Sequence, residues 1–358
     1  MIRVSESSQH TCGLKDEGDN FIKDNKVTNP KDITVVVPVY NCVAYLAELL
    51  DSLRNQSGPS LEIIAVNDGS TDSSLSLLEN MARLDPRIII INQPNQGLSV
   101  ARNTGIARAT GTWIAFADGD DWLAPGALFT WFEQAKQQQL DLLIGNGYIF
   151  NLDPQQPTRR PLLHKQPWGQ VLGGNQWVIQ SVENNEWPHY AWLQLIRRDL
   201  LHTHQLAFIP KMLHEDILWT THLALVAQRI GYCAKPFYGY RKNPESITHS
   251  HAPQALLHRA NSYMHIIKGL VDIAETLEPA LRHALFRHAN QESRHFLGLI
   301  RKRLPASPAR SALAAEFSHL GLCSALFRGT SNLHEFWRAL RCTLIISGYA
   351  RQKYLLPK

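Results

Sequence analysis

Three carboxylates follow an apolar run in the first half of the chain, in the Asp-Gly-Asp-Asp stretch at 118–121. The run itself, residues 113–117, is typical of a buried strand. Carboxylates this close repel one another unless a cation, water or a proton offsets their charge. A divalent metal bound by one or two of them, with substrate phosphates at its other positions, satisfies that requirement. Asp-rich stretches also form ordinary solvated turns, so the surrounding segments must decide.

Candidate ligand-binding residues also stand at the ends of two other predicted strands. Pro38, Tyr40 and Asn41 follow or end the first β-branched run, and Asp68 follows the second. Ligands of open α/β sheets bind outside the carboxyl ends of the strands. Asp68 could therefore accept a hydrogen bond from a base N–H, or it could simply form a turn with Gly69.

A glycine turn at the start of a predicted helix adds a further candidate. Gly97 precedes the helical pattern at 98–109, and backbone N–H groups at such a helix start can bind phosphate. Arg102 lies one turn into the helix and could reach a diphosphate or a base. Taken alone, Arg102 would more simply be a surface arginine.

The elements that must position these residues alternate regularly. Apolar and β-branched runs predict four strands, and leucine-rich or helical spacing predicts the helices between them. The strands are predicted at 33–37, 61–66, 88–91 and 112–117, and the helices around 46–53, after Asp72 and at 98–109. This alternation predicts an α/β fold with a parallel sheet and helices on both faces.

Composition limits the class of protein. The chain has 358 residues, enough for one large α/β domain and an appendage, and its 44% hydrophobic and 19% charged residues suit a soluble globular class. Five scattered cysteines match neither a zinc site nor a disulfide framework, which favours a reducing compartment. No secretory signal is visible, and no apolar run is long enough to span a bilayer.

Charge is distributed unevenly along the chain. From residue 254 onward there are 15 Lys and Arg against 6 Asp and Glu, whereas the whole chain carries only +5. A basic tail suggests an anionic lipid surface, a phosphorylated glycan or nucleic acid as a neighbour, or else a solvated helix surface. No nucleic-acid motif is present, so no nucleic-acid partner is expected. We predict a disordered leader at 1–31, a catalytic domain at 32–250 and a helical, basic region at 251–358.

The order of the motifs resembles family 2 glycosyltransferases of the GT-A fold. Pro-Val-Tyr-Asn, Asn-Asp-Gly-Ser-Thr-Asp, Asn-Gln-Gly-Leu-Ser-Val-Ala-Arg-Asn and Asp-Gly-Asp-Asp occur in that order between residues 37 and 121. The resemblance implies a Rossmann-like mixed sheet and transfer of a sugar, with inversion, from a nucleotide donor, usually UDP-linked. The donor-binding residues that it implies are Pro38, Tyr40, Asn41, Asp68, Gly97, Arg102, Asp118 and Gly119. Asp118 and Asp120 would bind a divalent metal, Mn²⁺ or Mg²⁺.

Two downstream segments also look like this family. The pair Glu215-Asp216 matches the acidic pair that supplies the catalytic base, so the resemblance implies Asp216 as the base and Glu215 on the acceptor side. Trp192 matches an acceptor-side tryptophan, and residues 236–248 match a closing Tyr-Arg…Ser element. The Gln-x-x-Arg-Trp motif of processive synthases is absent, which favours the addition of one sugar over the extrusion of a polymer.

A finer resemblance is to enterobacterial lipopolysaccharide-core transferases of the heptose-directed glucuronosyltransferase type. It implies a lipopolysaccharide acceptor and a cytoplasmic enzyme, peripheral on the inner face of the inner membrane and in contact with anionic lipid. Transferases for O-antigen, capsule or exopolysaccharide units are alternatives. So is a non-catalytic membrane adaptor, which would use the aromatic and basic residues Phe336, Trp337, Arg338, Arg341, Tyr349, Arg351, Lys353 and Tyr354. A sugar nucleotidyltransferase would need a triphosphate loop after the first strand, which this chain lacks.

Overall fold

A mixed β-sheet organises the chain. The computed structural model describes residues 31–158, 161–243 and 251–351, and eight strands within these ranges form one sheet. They are β1 (Ile33–Val39), β2 (Leu61–Asp68), β3 (Ile88–Gln93), β4 (Trp113–Phe116), β5 (Trp122–Leu123), β6 (Leu142–Phe150), β7 (Gln194–Arg197) and β8 (Ile230–Arg241). The predicted leader falls outside the described residues apart from Lys31.

Helices connect and flank these strands. In the first part of the chain they are α1 (Val43–Arg54), α2 (Ser74–Leu84), α3 (Leu98–Arg108), α4 (Ala127–Gln137), α5 (Gly174–Glu183), α6 (Arg198–Thr203) and α7 (Asp216–Val226). Those that follow are α8 (Pro253–Glu275), α9 (Pro279–Lys302), α10 (Pro308–His319), α11 (Leu322–Arg328) and α12 (Leu333–Ala350). A short 3₁₀ helix spans Ala191–Leu193. No helix of the described residues is long and apolar enough to cross a membrane.

The strand order is β3-β2-β1-β4-β7-β6-β8-β5. The four predicted strands, β1 to β4, are present and parallel, and the helices predicted between them are present too. Every residue of β1 and β2 is buried, as expected for β-branched strands covered on both faces. Beyond β4 the sheet is mixed, because β7 runs antiparallel to both β4 and β6.

The carboxyl ends of β1 to β4 meet at one edge of the sheet, which we call the carboxyl edge. Because β7 is antiparallel to both β4 and β6, and β8 is parallel to β6, β6 and β8 also end there. The turn after β1, the turn after β2, the acidic stretch after β4 and Arg241 at the end of β8 therefore converge. Residues separated by up to about 200 positions in sequence share this edge.

The helices after residue 250 pack against the sheet-bearing part. α8 and α9 pair along their length, α8 contacts α7, and α9 contacts α5. Gln291 of α9 donates a hydrogen bond from Nε2 to the Val182 carbonyl of α5, at 2.9 Å. From Lys31 onward the described residues form one compact unit. The predicted domain boundary at 250/251 lies at the end of residues 244–250, outside the described ranges.

Candidate functional site

The acidic stretch after β4 separates into one buried and two accessible carboxylates. Asp121 is fully buried: it accepts hydrogen bonds from Tyr238 Oη and from the Arg241 backbone N–H, each at 2.8 Å. Burial, with Asp120 and Asp118 nearby, raises the pKa of Asp121 well above its usual range. Asp121 therefore ties the acidic stretch to β8 and is not available as a metal ligand.

Asp118 and Asp120 are the two carboxylates of the acidic stretch that could bind a cation. The Asp118 side chain is 26% exposed, and Asp120 is partly exposed and accepts a 3.0 Å hydrogen bond from Asn243 Nδ2. Burial and the neighbouring Asp118 charge raise the pKa of Asp120. Among the described residues, no group of three or more His, Cys, Asp or Glu is arranged to hold a metal. Two carboxylates nevertheless fit a Mg²⁺ or Mn²⁺ ion whose other ligands are phosphate and water oxygens.

Gly119 is required by a close approach between this stretch and the turn after β1. A Cβ atom at position 119 would lie 2.6 Å from Cys42 Sγ and 3.4 Å from the Pro38 carbonyl oxygen. Pro38 is buried within β1 and its register partner is Val66 of β2. Two of the predicted donor residues, Pro38 and Gly119, are therefore neighbours at the carboxyl edge.

Arg102 is buried between two acidic groups from different parts of the chain. Its Nη2 lies 2.8 Å from Asp118 Oδ1 and its Nη1 lies 2.5 Å from Glu215 Oε1. The guanidinium also sits over the Phe208 ring, 5.2 Å from its centroid. Burial opposes its charge, but Asp118 and Glu215 outweigh burial and raise the pKa of Arg102. Arg102 thus connects the acidic stretch to the start of α7, and its donor-binding role stays a prediction.

Glu215 and Asp216 differ in what surrounds them. Glu215 is buried and paired with Arg102, whereas Asp216, the first residue of α7, is partly exposed. Within the described residues, no hydrogen bond from another residue reaches the Asp216 carboxylate. Burial raises the pKa of each carboxyl to about 7, with Arg102 opposing the shift. Asp216 is therefore the carboxylate that is free to accept a proton near neutral pH.

Asp68 holds the loop between β3 and α3. Its Oδ1 accepts hydrogen bonds from Gln93 Nε2 at 2.7 Å and from the Gln96 N–H at 2.9 Å. Its Oδ2 accepts the Gly97 N–H at 2.8 Å. Gly97 has φ of +88°, in the region that favours glycine, and it precedes α3 directly. The two predicted donor residues Asp68 and Gly97 are therefore bonded to each other.

Asn41 joins the turn after β1 to the turn after β2. Its Oδ1 accepts the Thr71 N–H at 2.7 Å, and its own N–H donates to Ser70 Oγ at 3.1 Å. Asn41 adopts φ of +49°, which asparagine tolerates better than most residues. The neighbouring Tyr40 side chain is 45% exposed at this edge, where a ligand could contact it.

Trp192 lies in an aromatic stack beside the acidic stretch. Its ring stacks on Tyr238, with centroids 4.4 Å apart, and on Tyr190, at 4.8 Å. It is also nearly parallel to the Tyr240 ring at 5.7 Å. Trp192 is buried, whereas Tyr190 and Tyr240 are partly exposed and offer aromatic surface at the cleft. The acceptor-side role predicted for Trp192 stays a prediction, and the two tyrosines are further candidates for it.

Arg241 belongs to the closing Tyr-Arg…Ser element noted in the sequence, whereas no role was predicted for Glu292 from the sequence. Arg241 Nη2 pairs with Glu48 of α1, and Arg241 Nε donates to the Asp120 carbonyl at 2.8 Å. Glu292 of α9 lies among histidines, including His288, whose Nε2 is 3.4 Å from Glu292 Oε1. Burial opposes its charge, but the histidines lower the pKa of Glu292 to about 2. Its negative charge adds to the shift of Asp216, so α9 contributes to the electrostatics of the site.

The spacing of Glu292 and its histidine neighbours along α9 could have indicated this cluster from the sequence. His288, Glu292 and His295 stand at positions i, i+4 and i+7, which share one helix face. Residues 197–199, an Arg-Arg-Asp stretch that follows Trp192 in the sequence, lie elsewhere on the sheet. Trp113, at the amino end of β4, pairs with Arg197, and Arg197 Nη1 bonds Asp141 at 2.8 Å. That stretch therefore lies at the edge of the sheet opposite the carboxyl edge.

Comparisons with known proteins identify the domain that carries this site. Residues 34–209 match the family described as Glycosyl transferase family 2. This part of the chain, just under half of its length, is therefore similar to a glycosyltransferase family 2 domain. The matched range includes the predicted donor residues and Trp192, and it ends before Glu215 and Asp216.

Two bacterial relatives illustrate how far the likeness extends. The uncharacterized glycosyltransferase YibD of Escherichia coli is 33% identical over 220 residues, covering 61% of this chain and 64% of that protein. The uncharacterized glycosyltransferase EpsJ of Bacillus subtilis is 35% identical over 225 residues, covering 60% of this chain and 62% of that protein. The match therefore spans less than two thirds of the length of these relatives.

Solved structures confirm the predicted GT-A fold. The crystal structure of S. aureus TarS 1–349 in complex with UDP-GlcNAc has a TM-score of 0.67 and 18% identity, covering 89% of this chain and 91% of that one. The mannosyltransferase PcManGT from Pyrobaculum calidifontis, in complex with GDP-Man and Mn²⁺, has a TM-score of 0.51 and 17% identity. At these identities the likeness shows the fold, a mixed sheet flanked by helices with a helical C-terminal region.

Proposed function

We propose that this chain transfers one sugar, with inversion, from a UDP-linked donor to a hydroxyl group of a glycan acceptor. The observation that carries the proposal is the junction at the carboxyl edge, where Arg102 joins Asp118 to Glu215 and so sets Asp216 beside the acidic stretch. A donor diphosphate at Asp118 would then place its sugar near a carboxylate that can accept a proton. TarS, which shares the fold, was crystallised with UDP-GlcNAc, and this favours a UDP-linked donor.

The reaction is a single displacement. The acceptor oxygen forms a bond to the anomeric carbon while the bond from that carbon to the β-phosphate oxygen breaks, and UDP leaves. Asp216 takes the acceptor's hydroxyl proton during the attack, a contribution of roughly 10²–10⁴-fold. Inversion needs one such carboxylate, because no covalent sugar–enzyme intermediate forms.

Asp118 and Asp120 would hold a divalent metal, Mn²⁺ or Mg²⁺, when the donor binds. Such an ion would supply positive charge next to the diphosphate, where negative charge grows as UDP leaves. PcManGT, of the same fold, was solved in complex with GDP-Man and Mn²⁺. Arg102 keeps Asp118 oriented, and Asp121 keeps the acidic stretch against β8.

For the acceptor we propose lipopolysaccharide core, with O-antigen, capsule or exopolysaccharide units as alternatives. We place the enzyme in the cytoplasm, bound peripherally to the inner face of the inner membrane. The basic region after residue 254 supports an anionic lipid surface as a neighbour, because clustered Lys and Arg are attracted to such surfaces. The adaptor alternative makes no use of Asp216, whereas an enzyme on the membrane accounts for both the acidic site and the basic helices.

The test is a panel of UDP-sugars incubated with purified full-length protein, with and without Mn²⁺. We expect hydrolysis or transfer with at least one donor, loss of turnover in excess chelator, and recovery when Mn²⁺ or Mg²⁺ is restored. The Asp118→Asn variant serves as the matched control and should stay inactive after metal is restored. Full turnover in excess chelator would exclude the metal role, and inactivity with every donor would favour the adaptor.

A further inference from the structure

A basic groove lies between α9 and α12, and none of its lining residues belongs to the carboxyl edge. Its volume is about 410 Å³, and it is lined by five cationic side chains together with Trp337 and other residues. The cations come from both helices and are Arg294, Arg301, Lys302, Arg338 and Arg341. A groove of this size with so many cations suits a ligand with phosphate groups, which Arg and Lys bind through charge-assisted hydrogen bonds.

The cations of the basic groove are not paired with acidic side chains. Within the described part of the chain, none of its five cations forms a salt bridge. Glu335, the buried acid on α12, is bound instead to Arg287 Nε at 2.8 Å and to the Ser331 N–H at 2.8 Å. Arg338 is held by a 3.1 Å hydrogen bond to Asn290 Oδ1. Burial, with Arg294 as its cationic neighbour, lowers the pKa of Arg338, and an anion would relieve both effects.

Apolar side chains stand beside these cations on the outer surface of α12. Leu333, Trp337 and Leu344 are 78%, 62% and 65% exposed, and their spacing of i, i+4 and i+11 puts them on one helix face. Exposed Trp and Leu next to Arg and Lys are typical of helices that lie in the headgroup layer of a membrane. A soluble anion would explain the cations but not this apolar face.

We propose that the basic groove binds the phosphate groups of anionic lipid headgroups while Leu333, Trp337 and Leu344 enter the interfacial layer. The groove would seat the enzyme on the membrane through α9 and α12, which deepens the membrane association proposed above. Binding there requires neither the donor nor the acceptor, because the groove does not include any of the residues assigned to catalysis.

The experiment measures sedimentation of the full chain with vesicles of phosphatidylcholine alone or mixed with phosphatidylglycerol. The test variant is Arg301→Gln with Lys302→Gln, and the matched control is Arg83→Gln with Arg108→Gln, two exposed arginines of α2 and α3. Each basic residue near an anionic surface changes binding by about fivefold, so we expect roughly a 25-fold loss for the groove variant and little loss for the control. Trp337→Ala should weaken binding to both kinds of vesicle.

Three results would overturn the proposal. Equal binding of the groove variant and the control would mean that the groove does not contact lipid. Binding of inorganic phosphate that the groove variant loses, with unchanged vesicle binding, would assign the groove to a soluble phosphate. Binding of a short RNA at the groove without vesicle binding would assign it to nucleic acid. Turnover of UDP-sugar is measured separately. A chain that turns over UDP-sugar but does not bind vesicles would contradict the lipid role of the groove. A chain that binds vesicles but has no turnover would contradict the proposed transferase activity.

Discussion

At the scale of single residues, Asp216 and Glu215 are adjacent but have different environments. Glu215 is engaged by Arg102, whereas the Asp216 carboxylate receives no hydrogen bond from another described residue. Asp216→Asn keeps the size of the side chain but removes its ability to accept a proton. We expect its turnover to fall by about 10² or more, with nearly unchanged affinity for the UDP-sugar.

The comparison variant is Glu215→Gln, which should cost less because Arg102 keeps its second partner, Asp118. Single-turnover rates measure the loss of catalysis, and calorimetry measures the affinity for the donor. Near-normal turnover of the Asp216→Asn variant with its true acceptor would mean that another group is the base.

The pH dependence of turnover provides a second test at this scale. The pKa of Asp216 is raised to about 7, and a base acts only when deprotonated, so turnover should rise with pH through about 7 and then level off. Glu292→Gln removes a negative neighbour of Asp216 and should move this rise to lower pH. A kcat/KM profile that is flat across neutral pH would contradict the assignment, because kcat/KM reports the pKa of the free enzyme.

At the scale of elements, the loop between β3 and α3 depends on a carboxylate of β2. Asp68 is 3% exposed and accepts two backbone N–H groups of that loop, those of Gln96 and Gly97. Asp68→Ala leaves both donors without their partner, which costs about 1–3 kcal/mol for each buried group that water does not reach. We therefore expect weaker UDP binding together with a lower free energy of unfolding, whereas the sequence alone indicates only a binding or turn residue at position 68.

Asp141 is the matched control for Asp68. It is also buried and accepts two backbone N–H groups, those of Gln228 and Arg229, at 2.7 and 3.0 Å. It precedes β6 and so lies at the opposite edge of the sheet. Asp141→Ala should lower stability in urea unfolding and leave UDP affinity unchanged. Equal loss of UDP affinity in both variants would indicate that Asp68 acts only through stability.

At the scale of the whole molecule, the helices after residue 250 complete the core. Trp187 packs on His288 of α9 with ring centroids 4.2 Å apart, and it also contacts Trp177 of α5 at 4.9 Å. A chain that ends at residue 250 would expose this aromatic surface. We expect that chain to aggregate or to lose its cooperative unfolding transition, since large exposed apolar patches promote association.

Removal of residues 1–30 is the control for this truncation. The residues from Lys31 onward form one compact unit, so residues 31–358 should unfold in one cooperative transition. Scanning calorimetry of the three chains makes the comparison. A shortened chain ending at 250 that unfolds cooperatively would show that the helical region is a separate domain.

The sequence predicts best those features that depend on residues close together in the chain. The β-branched runs of β1 to β3 and the helical spacing between them indicate these elements directly, because strand and helix periodicities act over a few residues. The motifs at the strand ends also predict that Asp68, Gly97 and Asp118 share one edge. Parallel strands force that result, and the structure confirms it.

Only the tertiary structure decides which of these side chains are free to act. Asp121 is the same residue type as Asp118 and Asp120, yet β8 buries it. Arg102 pairs with Glu215, which is 113 positions away in the sequence. The charge of Glu292 acts on Asp216 because α9 packs against α5 and α8, and no local pattern encodes that packing. The burial, the bonding partner and the pKa of each side chain depend on residues that are distant in the chain. The sequence by itself therefore determines the elements and the chemical groups. The packing of the folded chain then gives each group its charge and its accessibility.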